Sequence, residues 1–187
     1  MKLRIICGLI FYCVLCSPVQ AQIAKVKFHS IENGGVTIGE SEANAVFQTV
    51  NGISVHDWFL GVGVGVDYYQ YKTLPLFFDA RNFFGKNHKW FLYGNLGYDF
   101  PLHDKPGMEI GSYNYYHVKG DVYTDFGIGI RTKFINKTSL LFSLGHSYKQ
   151  LQFKTTQIIP LCSECKPQSY YYTLGYGRIL FKAGLEF

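Results

Sequence analysis

Four sets of side chains have the types and spacing for chemistry. Cys162-Ser163-Glu164-Cys165, set between Pro160 and Pro167, offers two thiols at a spacing open to a redox pair, half of a metal site or a short disulfide. His146-Ser147 puts an imidazole beside a hydroxyl, the parts of an activated nucleophile. His103, Asp104, Ser112 and His117 gather a base, an acid and a hydroxyl in one polar stretch. Tyr113, Tyr115 and Tyr116 in that stretch add rings suited to contact with carbohydrate or protein, unless they simply prolong a strand. The fourth set is charged: Asp67, Asp79, Arg81, Asp99, Asp125, Arg131, Lys149, Arg178, Lys182 and Glu186. Such a set can make a gated polar path, a catalytic carboxylate pair or a lattice of ion pairs.

The elements that carry these residues decide among the readings. From residue 58 onward the chain alternates with period 2, the mark of strands with one apolar face. In Trp58–Tyr71, Leu60, Val62, Val64, Val66 and Tyr68 oppose Phe59, Gly61, Gly63, Gly65 and Asp67. The pattern returns in Leu74–Phe84, Trp90–Phe100, Asp121–Phe134, Leu140–Phe153 and Tyr170–Phe187. Lys27–Glu40 and Ala45–Val55 fit two more strands, although Asn51-Gly52 is also a hairpin signal that would put a turn there. The charged set lies in one phase throughout, opposite the apolar face. Neighbouring strand residues point to opposite faces, so His146 and Ser147 do not converge.

Residues 1–21 read as a cleavable secretory leader: Lys2 and Arg4, then the apolar run Ile5–Leu15, then Val19-Gln20-Ala21. That apolar run is too short to span a bilayer as a helix, and no later segment reaches 18 apolar residues. Leu15 before Cys16 argues against a lipid-modified leader. Residues 22–187 then form one domain. Losing Lys2 and Arg4 takes two from the formal charge of +5, too weak a balance to argue for nucleic acid. Aromatics at 18%, with 15 Tyr and 20 Gly, suit strands that face lipid outside and a crowded interior within.

The last strand places Ile179, Phe181, Ala183, Leu185 and Phe187 on one face and ends on an aromatic. It resembles the closing strand of a Gram-negative outer-membrane barrel, and the mature chain is similar to the small OmpA/OmpX-type barrels. The resemblance implies an all-β, eight-stranded antiparallel up-and-down transmembrane β-barrel in the outer membrane. It implies contact with outer-membrane lipid and lipopolysaccharide, and recognition of Phe187 by the barrel-assembly machinery. It implies no cofactor, and no periplasmic domain after Phe187.

That architecture assigns the four sets. Pro101–Gly120 and Lys154–Ser169 become long external loops, with Gly85–Lys89 and Ile135–Ser139 as short inner turns. Trp58, Phe84, Trp90, Phe134 and Phe187 fall near the inner boundary, and Tyr68, Tyr98, Tyr148 and Tyr171 near the outer one, as two interfacial girdles. A secreted lipocalin-like barrel would need the opposite sorting, with apolar residues inside. An eight-stranded lumen is narrow enough for side chains to fill, so the charged set is expected to be a plug of ion pairs. Cys162 and Cys165 then lie in an oxidising setting, where a loop disulfide is preferred over a metal site or free thiols. The expected function is non-catalytic: presenting loops to a surface partner or maintaining the envelope. The alternative is a lipid-modifying enzyme of the lipid A deacylase or acyltransferase kind.

Overall fold

In a computed structural model of the chain, residues 26–40, 42–102, 108–109, 112–135, 138–158 and 168–187 are described. The leader, Cys162, Cys165, His103 and Asp104 lie outside them. So do the side chains of Ser112, Tyr113, Tyr115 and Tyr116.

The strands are β1 (Lys27–Ile38), β2 (Ala43–Val55), β3 (Trp58–Asp67), β4 (Thr73–Phe84) and β5 (Trp90–Pro101), then the two-residue β6 (Met108–Glu109), β7 (Ser112–Ile135), β8 (Thr138–Ile158) and β9 (Gln168–Glu186). Each pairs antiparallel with its neighbour, β5 pairs with β7, and β9 returns to β1, so eight strands close a ring. The chain's last residue helps seal it. Phe187 donates its backbone N–H to the Ser30 carbonyl at 2.9 Å and accepts from Ser30 N–H at 3.3 Å. Closure satisfies the ladder groups that an open edge would leave unpaired, which hydrocarbon does not tolerate.

Alternation sets the two faces. Leu60, Val62, Leu76, Phe78, Leu92, Leu96, Phe126, Ile128, Phe142, Leu144 and Phe181 stand exposed on the outer wall. The inner phase is buried and mixed. A lipocalin-like soluble barrel is therefore excluded by the direction of the side chains. The five rings expected at the inner girdle are all exposed, as are Tyr68 and Tyr171 above.

Asn51-Gly52 is not a turn. Both residues sit inside β2, where Gly52 pairs with His29 on one side and Gly61 on the other. Two lumen glycines make room for rings: a Cβ on Gly63 would strike Phe77, and one on Gly129 would strike Phe91.

Two expectations need correction. The strand expected to run to Tyr71 ends at Asp67, and Gln70 at φ 55° turns the chain so that Tyr69 is buried. The described parts of the two long external segments are also mostly strand. Tyr113 to Gly120 pair with Ile158 to Leu151, and Lys154 to Gln157 pair with Tyr171 to Gln168. Continuous backbone pairing carries β7, β8 and β9 well beyond the shorter β1–β5 as a three-stranded extension. A register shift between Gly120 and Tyr123 reverses the inward phase where this extension begins.

Candidate functional site

The lumen holds the charged set in three tiers. At the inner rim, Glu186 meets Arg131 Nε at 3.3 Å and His29 Nδ1 at 3.1 Å. Arg131 keeps a third of its side chain exposed and lies over the Phe83 ring at 4.8 Å, so it belongs to the rim rather than to the buried interior. That departs from its expected place in the plug, because β7 nears its end there.

The middle tier is fully enclosed. Arg81 clasps Asp79 two residues away on its own strand, with Nε to Oδ1 and Nη2 to Oδ2 both at 2.9 Å. Lys182 Nζ reaches Asp125 Oδ2 at 2.6 Å, and Tyr93 donates its hydroxyl to Asp125 Oδ1 at 2.9 Å. The Asn95 amide lies between Asp79 and Asp125, within reach of both. Gln48 donates to the Tyr123 hydroxyl at 2.8 Å and accepts from Lys182 at 3.4 Å. Rings cover the cations: Lys182 stands 4.0 Å from the Tyr93 ring centroid, and Arg81 lies 5.6 Å from that of Phe91. Ile31, Val50, Phe59, Phe77, Phe91 and Leu141 pack beside this tier.

The upper tier centres on Asp67, which Arg178 Nη1 contacts closely and Lys149 Nζ approaches at 3.4 Å. Arg178 also donates to Ser147 Oγ at 2.9 Å. Lys149 Nζ donates to the Tyr69 carbonyl at 2.7 Å, the Tyr71 carbonyl at 3.0 Å and Thr73 Oγ1 at 3.3 Å, so its contact with Asp67 is one of charge. Asp99 lies among these groups but departs from the expected pairing. Both its oxygens are buried with no hydrogen-bond partner among the described residues. The turn at Gln70 offers Lys149 two carbonyls, and together with Asp67 they hold the ammonium away from Asp99. Val118, Leu151 and Phe153, with Tyr71 and Tyr176 against them, close over this tier on the outer side.

Five acids and five bases therefore share one lumen, and all but Asp99 have a charged partner within 4 Å. His29, Gln48, Tyr69, Tyr93, Asn95, Tyr123 and Ser147 take part although charge and spacing did not single them out for this network. The inward phase of Tyr93, Asn95, Tyr123 and Ser147 was visible; Gln48 and Tyr123 meet across the lumen, whereas Asn95 with Asp125 and Ser147 with Arg178 are register neighbours on adjacent strands.

The other candidate sets fare differently. His146 is exposed on the outer wall, with its ring 5.6 Å from that of Phe126, while Ser147 is buried and bound to Arg178. They cannot share a proton. No group of three or more His, Cys, Asp or Glu that could hold a metal occurs among the described residues.

No protein-family model and no curated protein matches the sequence. Among the solved structures that match are two outer membrane proteins. One is the outer membrane protein OprG from Pseudomonas aeruginosa, at 11% identity over 85% of this chain and 94% of that one, TM-score 0.50. The other is the outer membrane protein AlkL, solved in DMPC bilayers, at 10% identity over 87% of each chain, TM-score 0.48. The likeness to OprG shows the fold of a small outer-membrane barrel. The narrower resemblance to the OmpA/OmpX type rests on the sequence pattern.

Proposed function

We propose that the protein is a non-catalytic integral outer-membrane barrel whose lumen is plugged by its own ion pairs. It presents the β7–β9 extension and adjoining loops to a surface partner or serves envelope integrity. One observation supports the reading: buried ion pairs and rings line the lumen from the Glu186 rim to the Phe153 layer. A charge moved into a low-dielectric interior needs a partner, and here every charge of the set but Asp99 has one within 4 Å. Solute passage would have to break several of these contacts at once.

The extension supplies contact surface. Tyr170, Tyr171 and Tyr172 are exposed, Phe153 stacks on Tyr172 at 5.2 Å, and Lys154 lies over Tyr171 at 5.6 Å. Aromatic side chains give large contact area at small entropic cost. Tyr113, Tyr115 and Tyr116 lie on the paired part of β7, the other outer strand of this extension.

Reconstitution into planar bilayers tests the plug. The folded protein should give no lasting conductance at moderate voltage, and a steady ohmic current would overturn it. Mass spectrometry of lipid A and phospholipid incubated with the folded protein tests the absence of catalysis. Deacylated or acyl-shifted products would restore the enzyme alternative.

A further inference from the structure

The outer wall carries a polar patch on β1 and β2 that hydrocarbon alone cannot satisfy. Glu32 is exposed there, at the sixth of the 12 residues of β1 and one outward position beyond Ser30, which pairs with Phe187 of the inner girdle. Between the girdles, the described outward positions of the barrel strands carry no other Asp, Glu, Lys or Arg. The register puts Glu32 beside Thr49, and Ser30 beside Asn51. Glu32 Oε1 accepts from Thr49 Oγ1 at 2.7 Å and from Ser30 Oγ at 3.4 Å. Among the described residues nothing hydrogen-bonds Oε2 or the exposed side-chain amide of Asn51. Leu185, Val62 and Val64 border the patch as ladder neighbours.

A lipid-facing carboxylate is costly, and acyl chains offer it neither donor nor acceptor. The patch contains what its own vacancies lack: a free acceptor at Glu32 and free donors at Asn51. A two-fold axis through it would bring each Asn51 amide to the other copy's Glu32, as an isologous interface requires. The shape repeats the logic. Phe47, 57% exposed, stands between two shallow grooves. One has Gly34 and Ala183 with Val36 and Phe181, and the other is walled by Val64, Val66 and Leu74. A knob beside a groove floored by small residues allows walls to approach closely.

We infer that the outer wall of β1 and β2 is a docking face for a second copy of this chain, with Glu32 and Asn51 bonding across the two-fold and Phe47 seated in the partner's groove. The inference rests on the membrane placement proposed above. It makes Glu32 a residue kept at a cost to the monomer in lipid for the sake of assembly.

Cross-linking in isolated outer membranes tests it, in a C162S/C165S background. Val62→Cys beside the patch should give a dimer with a flexible bis-maleimide long enough to bridge the two copies across the axis, and Leu92→Cys on the far wall should not. Adding Glu32→Leu should cut the Val62→Cys dimer at least tenfold while the barrel stays heat-modifiable, whereas Glu32→Gln should retain it. A heat-modifiable Val62→Cys barrel that stays monomeric overturns the inference, as does undiminished dimer with Glu32→Leu. Cross-linking to a different protein overturns it too. Absence of a heat-modifiable membrane form in the parent chain would overturn the membrane placement itself.

Discussion

Lys182 and Asp125 show what a buried ion pair means for this lumen. Their contact is 2.6 Å, Tyr93 donates a further bond to Asp125, and Gln48 accepts one from Lys182. Removing one member strands the other in a site built for a pair, which costs about 3–5 kcal/mol. Lys182→Met should therefore lower unfolding free energy in detergent by about that amount, measured by guanidinium titration. The double variant K182M/D125L removes both charges and should recover much of the loss, since replacing a buried pair by apolar groups is often neutral. If the double variant is as unstable as the sum of its singles, the pair does not act as a unit. At this scale the sequence showed which residues enter the lumen, because phase alone fixes that. It did not show partners: Lys182 bonds Gln48 and Asp125 across the lumen, from β9 to β2 and β7. Nor did it show that Asp99 would go unpaired, since that depends on where the Gln70 turn aims two carbonyls.

The strands were legible wherever lipid and lumen impose opposite chemistry on the two faces. Beyond the membrane that contrast ends, and with it the signal. Ser112–Gly120 therefore read as loop, and the register shift after Gly120 broke the phase at the same point. The β2 strand was ambiguous for a local reason, because Asn-Gly favours a tight turn unless both flanking strands pair through it, as β1 and β3 do here. Two predictions belong to this scale. Phe187 makes backbone bonds to Ser30 and has a half-exposed ring, so losing the ring should cost a formed barrel no more than roughly 1.5–3 kcal/mol. Phe187→Glu should nonetheless sharply reduce outer-membrane levels in cells if assembly reads that ring, and normal levels would contradict such a role. Cys162 and Cys165 are the basis of the other. A disulfide there closes a very short loop and so constrains the unfolded chain only weakly. C162S/C165S should keep barrel assembly while its loop becomes more protease-sensitive. Two thiols that label in the native, unreduced protein would rule the bond out, and protection that depends on added metal would favour a metal site.

Closure makes the whole molecule cooperative. In an open sheet an edge strand can fray alone, but in this ring every barrel strand pairs on both sides, β9 with β1 and β5 with β7 included. The lumen adds ties across the ring: Gln48 on β2 to Tyr123 on β7, Lys149 on β8 to the carbonyls before β4, and Arg178 on β9 to Asp67 on β3. Detaching any one strand breaks two ladders and uncovers buried charge, so partial unfolding offers little relief until the whole ring opens. In detergent gels the unboiled protein should therefore run as a compact species, and boiling should slow it in a single step without populated intermediates. Far-UV circular dichroism of the unboiled form should be that of a sheet, as the described strands require. A gradual mobility change with temperature, or a helical spectrum, would mean that the ring is not the cooperative unit.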